Sequence, residues 1–281
     1  MKVAIVGLGI MGSAYAANLL AGGAEVSGSD PLDGARDALT QAGGTAYGDI
    51  GPWVAEGDLV ITSLLDPGIL KMVVGQLATH LGAGQIIADT GTFHLADKLA
   101  ARDIAEQGGA VMLDCPVSGT GAQARTKDLL MMASGPEDVV DRIRPILDLF
   151  TKGVLFAGEF GMGSRLKFTA NHAVVLHNCA AAETLHYARA QGLEDDIVYQ
   201  MLSTGAGQSR MSTLRMPLMI AGDYRPPTAS LKMFDKDVQV ISTDISEVAC
   251  ATPIFDVCSE LYKSAYGSLD PDLDSAAVYE V

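Results

Sequence analysis

The sequence lacks the cysteine and histidine spacing that a metal site requires. Its 281 residues include only four cysteines, and these form neither a CxxC pair nor a Cys/His cluster: Cys115, Cys179, Cys250 and Cys258. We therefore predict no metal site, and we expect these cysteines to be small buried hydrophobic residues in a reducing cytoplasm.

Positive charge is also scarce, since 19 Lys and Arg stand against 34 Asp and Glu, a formal net charge of −15. Binding to nucleic acid needs clustered Lys and Arg that neutralise phosphates, so nucleic acid is excluded as a partner. An organic acid can still bind where a few positive groups gather in one pocket.

Long apolar runs are absent as well. The most apolar stretch, residues 170–185, is interrupted by His172, His177, Asn178 and Glu183, so no membrane span is predicted. The first strand candidate begins at Lys2, which leaves no room for a signal or transit peptide. We expect a cytoplasmic protein.

Hydrophobic residues make up 48% of the chain, enough for the cores of the two domains that its length suits. In residues 1–160, short apolar runs alternate with helical patterns, which predicts a Rossmann-type, doubly wound parallel sheet. Residues 161–281 show helical patterns alone, so the fold class is α/β with a second, all-α domain for substrate binding and dimerisation. The acidic segment 270–274 is expected to be a solvated turn before a short final helix.

A dinucleotide-binding motif occupies the N-terminus, where the strand candidate at 3–6 runs into Gly7-Leu8-Gly9-Ile10-Met11-Gly12. In G-x-G-x-x-G the glycines provide a tight turn, an open approach for the pyrophosphate and close packing of helix on strand. The helix N-terminus then presents N–H groups to the phosphates. We predict that all six residues bind the cofactor.

Asp30 follows the second strand candidate at the spacing of a ribose-binding acid. Its carboxylate suits two ribose hydroxyls and repels a 2′-phosphate, so NAD is favoured over NADP, with Arg36 as the main argument for NADP. The alternative is that Asp30 is a turn residue before Pro31.

Two further motifs carry candidate chemistry. Lys167 and Asn171 lie four residues apart in a helical pattern, on one face and one turn from each other. A lysine there can exchange a proton with a substrate oxygen that the amide orients; an ordinary exposed lysine is the alternative. Ser118 and the N–H groups around Gly119 and Gly121 can bind a carboxylate, unless this segment is only a strand-to-helix turn.

Four ordered motifs together resemble the β-hydroxyacid dehydrogenase family over essentially the whole chain: GLGIMG at 7–12, DCPVSGTGA at 114–122, GSRLKFTAN at 163–171 and FDKD at 234–237. The resemblance implies that Lys167 is the catalytic acid/base and that Asn171 positions the reacting oxygen. Ser118 and Gly119 would hold the substrate carboxylate, with Thr120 in the same loop.

The resemblance also assigns the cofactor side. Leu64, Leu65 and Thr92 would contact the nucleotide and nicotinamide, and Lys236 would line the cofactor side of a cleft between the domains, oriented by Asp237. The implied reaction is hydride transfer between NAD(P) and a short 3-hydroxy acid or sugar acid, or the matching semialdehyde or keto acid. The acidic and apolar faces of the long helical segment 163–191 predict a homodimer or homotetramer.

The chain departs from the family at four positions: Cys115 in place of alanine, Thr120 in place of a second glycine, Gly91 in place of serine and Lys127 in place of glycine. These changes leave the reaction type intact and the identity of the acid open.

Three other functions compete with this one. Imine reductases share the architecture but usually have Asp or Tyr where Lys167 stands, and decarboxylation of the 6-phosphogluconate type is disfavoured by Ala170. A non-catalytic NAD-binding module is the third. The segment 203–210, with Gln208 and Arg210, fits either a substrate-contacting loop or a connector between helices.

Overall fold

The computed structural model describes residues 1–281. The chain divides into two compact units, Met1–Lys167 and Phe168–Val281, and the division falls inside a long helix. Two hydrophobic clusters fill the first unit and a third fills the second.

The first unit is built on one nine-stranded sheet in the order β3-β2-β1-β4-β5-β6-β8-β7, with β9 paired to β8. Its strands are β1 (Lys2–Val6), β2 (Glu25–Ser29), β3 (Thr45–Tyr47), β4 (Leu59–Thr62), β5 (Ile86–Asp89), β6 (Val111–Asp114), β7 (Val117–Ser118), β8 (Leu130–Ser134) and β9 (Gly153–Gly158). Its helices are α1 (Ile10–Ala21), α2 (Asp33–Gln41), α3 (Pro67–Ala78), α4 (Leu95–Gln107), α5 (Gly121–Arg125) and α6 (Glu137–Leu147).

The sheet is parallel from β3 to β6, and only β8 pairs antiparallel with β6 and β7. Alternate residues of β1 enter different cores, Val3 and Ile5 on one face and Ala4 and Val6 on the other. A parallel sheet buried on both faces is the doubly wound arrangement. The predicted Rossmann-type domain is therefore confirmed.

The sequence patterns did not reveal α2, β3 and β7. Helix α2 buries only Leu39, so it has no apolar stripe to produce a helical period. Strands β3 and β7 have three and two residues, too few to show the alternation of a strand.

The second unit is helical. The long helix α7 (Met162–Ala190) enters it from the first unit, and the remaining helices are α8 (Asp195–Thr204), α9 (Arg210–Ala221), α10 (Leu231–Glu247), α11 (Pro253–Ser268) and a short 3-10 helix at Ser275–Glu280. The predicted all-α domain is confirmed. None of the helices combines the length and the apolarity that a membrane span requires.

The expectation that 270–274 is solvated is wrong at Asp274. This residue is fully buried, its carboxylate lies 2.6 Å from Nη1 of Arg215, and it accepts hydrogen bonds from the N–H groups of Thr228 and Ala276. A carboxylate with an arginine partner and backbone donors can be buried, and Arg215 and Thr228 lie 59 and 46 residues away in the sequence.

Candidate active site

The turn from β1 into α1 depends on two glycines. Gly7 has a φ of +94°, and a Cβ there would lie 2.3 Å from the carbonyl oxygen of Ser63. A Cβ on Gly12 would lie 1.9 Å from the carbonyl oxygen of Gly7. A Cβ on Gly9, by contrast, would meet no atom within 4 Å. The turn is therefore tightly packed at Gly7 and Gly12 and open at Gly9.

The N-terminus of α1 has the character of an anion site. Gly9 is its N-cap residue, no side chain caps the helix, and no acidic residue lies in its first turn. The first N–H groups of a helix have no partner within the helix, and the helix dipole favours negative charge beside them. Together with the open space at Gly9, this terminus fits a dinucleotide pyrophosphate.

Asp30 follows β2, and its carboxylate is held beside the same turn. Oδ2 accepts the N–H of Leu8 at 2.8 Å, and Oδ1 accepts the N–H of Leu32 at 2.9 Å. Arg36 donates to the carbonyl oxygen of Asp30 at 2.7 Å and also pairs with Asp33. A carboxylate and a guanidinium thus lie next to each other at the carboxyl end of β2.

Leu64, Leu65 and Thr92 lie at the same edge of the sheet, because they follow the parallel strands β4 and β5. Leu65 is 79% exposed, whereas Leu64 and Thr92 are half-buried. The expected cofactor contacts of these three residues therefore stay a prediction.

The candidate substrate loop begins in β7, where Ser118 pairs with Leu130 of β8. Gly119 has a φ of +138°, which favours glycine. A Cβ on Gly121 would lie 2.4 Å from Cγ2 of Ile10. The start of α5 therefore packs against the start of α1, and the substrate loop is a neighbour of the dinucleotide-binding turn.

Two departures from the family lie at the two ends of α5. Thr120 is the N-cap residue of α5, and its N–H donates to Oε1 of Gln123 at 3.0 Å, so this N–H is used within the loop. Lys127 has a φ of 60°, a left-handed conformation that costs an L-residue about 1–2 kcal/mol relative to glycine. Thr120 therefore changes the loop that the resemblance assigns to the substrate, and Lys127 changes the turn at the other end of α5.

The first turn of α7 is fixed to the sheet by backbone contacts. A Cβ on Gly163 would lie 2.4 Å from the carbonyl oxygen of Met132 and 2.8 Å from that of Asp114. The N–H of Gly163 donates to Oγ of Ser134 at 2.9 Å. Ser164 donates its N–H to Oδ2 of Asp114 at 2.7 Å and its hydroxyl to Oδ1 at 2.9 Å. Asp114, the last residue of β6, thus caps α7.

A lysine that the sequence analysis did not single out balances this carboxylate. Lys98 on α4 is fully buried and pairs with Asp114, with Asp89 at 2.9 Å and with the carbonyl oxygen of Gly91 at 2.9 Å. Burial alone would lower the pKa of Lys98, but the two carboxylates more than offset this and raise it above its usual value. The sequence signal for its burial was its position three residues before the buried Ala101, which places both residues on the same face of α4.

Lys167 and Asn171 lie one turn apart on α7 and are both half-buried. In the second unit, Nδ2 of Asn171 donates to Oδ2 of Asp237 at 2.9 Å. Nζ of Lys236 lies 3.3 Å from Oδ1 of the same Asp237. The FDKD motif therefore orients the amide of Asn171, a contact that the sequence motifs did not suggest.

The segment 203–210 connects α8 to α9, and Arg210 is the first residue of α9. A cavity of about 200 Å³ in the second unit is lined by His177 and Thr184 of α7 and by Gln208 and Ser209. The segment is thus a connector that also borders a cavity.

Comparison with known proteins identifies the family. Residues 2–158 match the NAD binding domain of 6-phosphogluconate dehydrogenase. Residues 161–281 match the NAD-binding domain of NADP-dependent 3-hydroxyisobutyrate dehydrogenase. The chain belongs to the β-hydroxyacid dehydrogenase family. It is therefore an NAD(P)-dependent oxidoreductase, as the motifs predicted.

Individual relatives agree with this assignment. An L-threonate dehydrogenase of Escherichia coli O6:H1 is 30% identical over 98% of this chain and 93% of its own. The chloroplastic glyoxylate/succinic semialdehyde reductase 2 of Arabidopsis thaliana is 28% identical over 98% of this chain and 78% of its own.

Solved structures share the fold of this β-hydroxyacid dehydrogenase. A 3-hydroxyisobutyrate dehydrogenase from Salmonella typhimurium has a TM-score of 0.90 and 26% identity, covering 100% of this chain and 99% of its own. An imine reductase from Pseudomonas sp. has a TM-score of 0.63 and 20% identity, covering 99% of this chain and 98% of its own. At this identity, the similarity shows a shared fold alone.

The open space at Gly9 leads to a prediction. We expect Gly9→Ala to fold with an unchanged melting temperature and to lose about tenfold or more in NADH affinity, because the new methyl group occupies the space proposed for the pyrophosphate. Fluorescence titration with NADH and thermal unfolding measure the two effects.

Gly12→Ala is the matched control. Its Cβ would meet backbone 1.9 Å away, so we expect a lower melting temperature as well as weaker binding. Wild-type NADH affinity in a folded Gly9→Ala protein would contradict the assignment of this turn to the cofactor.

Proposed function

We propose that the enzyme transfers a hydride between NAD(P) and a short 3-hydroxy acid or sugar acid, or the matching semialdehyde or keto acid, with Lys167 as the acid/base. The observation that carries this proposal is the double role of Asp114. This residue fixes the first turn of α7 ahead of Lys167, and it begins the loop that contains Ser118. The names of the relatives, which refer to L-threonate, glyoxylate and succinic semialdehyde, support this class of substrate.

Residues of the first unit are proposed to hold the cofactor. The turn at 7–12 and the uncapped start of α1 would bind the pyrophosphate, and Asp30 would accept the ribose hydroxyls. Leu64, Leu65 and Thr92 would contact the nucleotide and nicotinamide.

Lys167 is proposed to handle the proton. In oxidation, its neutral amine accepts the proton of the substrate hydroxyl; in reduction, its ammonium donates a proton to the carbonyl oxygen. Asn171 uses one N–H on Asp237, so its amide oxygen and other N–H can orient the reacting oxygen. A fixed orientation of this kind lowers the entropy cost of reaching the reactive geometry.

The loop at 118–121 is proposed to bind the substrate carboxylate. Because the N–H of Thr120 already donates to Gln123, the donors that we assign to the carboxylate are the hydroxyl of Ser118 and the N–H groups of Gly119 and Gly121. The side chain of Thr120 would then border the substrate and affect the choice of acid.

We also propose a homodimer or homotetramer. Exposed apolar side chains recur at helical spacing on α8, at Ile197 and Met201, and on α11, at Ile254 and Val257. Exposed apolar stripes favour burial against another chain, and a second copy is the occupant that we propose. Light scattering of the purified protein would exclude this if it gave the mass of a monomer.

The proposed substrate class can be tested with the wild-type enzyme and NAD. In a panel of short 3-hydroxy acids and their methyl esters, we expect NADH to form from one or more acids. The matching ester should lose about tenfold or more in kcat/KM, because it lacks the charge that strengthens hydrogen bonds to the loop. Equal activity on acid and ester would show that the loop does not bind a carboxylate.

Lys167→Ala tests the acid/base. We expect its kcat to fall on the order of 10²–10⁴-fold, because general acid/base catalysis is lost, with an unchanged Kd for NADH. Lys263→Ala, which removes an exposed lysine of α11, is the control and should keep wild-type activity. A near-normal kcat in Lys167→Ala would refute the assignment.

Asp30 leads to a prediction about cofactor choice. We propose that NAD is favoured over NADP, so the wild-type kcat/KM should be higher with NAD, and Asp30→Ala should narrow the difference because the carboxylate no longer repels the 2′-phosphate. Arg36→Ala is the companion variant and should weaken the use of NADP further. If the wild type prefers NADP, Asp30 is a turn residue and not the ribose ligand.

A further inference from the structure

Three ionisable side chains form a cluster with no exposure to solvent at the carboxyl ends of β5 and β6. Asp89 and Asp114 are the last residues of these strands and lie opposite each other in the sheet. Lys98 reaches both from α4, the helix that connects the two strands. One ammonium and two carboxylates leave a formal charge of −1 inside the protein.

The two carboxylates differ in what they contact. Asp114 accepts the N–H and hydroxyl of Ser164 at 2.7 and 2.9 Å and the hydroxyl of Ser134 at 3.1 Å. Asp89 accepts the hydroxyl of Thr62 at 2.7 Å and pairs with Lys98. Of the two carboxylates, only that of Asp114 therefore contacts α7. The groups of Ser164 and Ser134 that face Asp114 all donate hydrogen bonds, so the carboxylate has to accept them.

We propose that Asp114 is a positioning residue for the reaction and that Lys98 keeps it ionised. An ionised carboxylate accepts at both oxygens, whereas a protonated one turns one oxygen into a donor and loses a bond to the start of α7. Lys167 follows Ser164 by three residues on the same helix, so its amine moves with that turn. A displacement of about 1 Å can reduce the rate about 100-fold. The inference rests on the proposed role of Lys167.

A matched pair of variants separates positioning from general stability. Asp114→Asn and Asp89→Asn make the same chemical change in two buried partners of Lys98. We expect kcat to fall about 10- to 100-fold in Asp114→Asn and to stay within about threefold of the wild type in Asp89→Asn. The Kd for NADH should change in neither, because the dinucleotide-binding turn is untouched.

The counter-ion role of Lys98 leads to a pH test. In Lys98→Met, two buried carboxylates without a cation cannot both be charged, so the pair binds a proton. That proton turns one carboxyl oxygen into a donor at low pH and is lost as the pH rises, so the ratio of variant to wild-type kcat should rise from pH 6 to pH 9. In the double variant Lys98→Met/Asp89→Asn, the cluster again has a formal charge of −1. The ratio of its kcat to that of the wild type should not change with pH.

The other titratable groups that face the cluster stay neutral over this range. They are Tyr15 of α1 and Cys115, and burial raises the pKa of both above their usual values. The change in ratio can therefore be assigned to the carboxylates. Lys71→Met is the control, because Lys71 forms a partly exposed ion pair with Asp97 of α4 and should show no change in kcat ratio with pH.

Amide hydrogen exchange gives a readout that needs no substrate. The segment 161–167 contains the N–H groups of Gly163 and Ser164, which should exchange about tenfold or more faster in Asp114→Asn than in Asp89→Asn. In Lys98→Met the exchange of this segment, compared with the wild type at the same pH, should be most accelerated at low pH and should approach the wild-type rate as the pH rises. If the wild type oxidises no hydroxy acid, the proposed function fails, and this measurement still decides the positioning role.

Three results would overturn the inference. Equal loss of kcat in Asp89→Asn and Asp114→Asn would indicate a general effect of stability. A pH-independent ratio in Lys98→Met, or a double variant that is as impaired as the single one, would show that Lys98 acts only through packing. If Lys98→Met does not fold, the two asparagine variants decide alone.

Discussion

The buried carboxylate of Asp114, which pairs with Lys98 and caps α7, is the group on which much of the first unit depends. Removing such an ion from water costs several kcal/mol unless charge and hydrogen bonds compensate it. Lys98 supplies the charge, and Ser164 and Ser134 supply hydrogen bonds. Because the carboxylate accepts from the backbone of α7, the start of this helix is fixed relative to the sheet. The loop that begins at the same residue is anchored there too.

The parallel sheet brings the remaining groups of the first unit to this edge. The dinucleotide-binding turn, Asp30 and Thr92 all follow strands that run in the same direction, and ligands of such sheets bind outside the carboxyl ends of the strands. The antiparallel pairing of β7 with β8 then folds the loop at 118–121 back toward α1, where Gly121 meets Ile10. Segments far apart in the sequence are therefore neighbours because of strand direction and the close contact at Gly121.

Local motifs allowed much of this to be predicted. The G-x-G-x-x-G motif and the spacing of Lys167 and Asn171 could be recognised because each involves residues that are close together in the sequence. The burial of Lys98 and Asp274 was missed because each pairs with a residue far away in the sequence, 16 and 59 positions respectively. Sequence patterns alone do not show which distant charges will pair. The contact of Asn171 with Asp237, 66 residues away, was hidden for the same reason. Helix α2 was missed because it buries too little to show a period.

In the proposed site, the choice between NAD and NADP would depend on two charges at the end of β2 that act in opposite directions. Arg36 is engaged by the carbonyl oxygen of Asp30 and by Asp33, but Asp33 has a side chain that is 87% exposed, and exposed ion pairs contribute little. That pair therefore does not prevent Arg36 from turning toward a 2′-phosphate. The carboxylate of Asp30 is different, because two backbone N–H groups fix it. We therefore propose that the fixed carboxylate would disfavour NADP and that Arg36 would limit this effect.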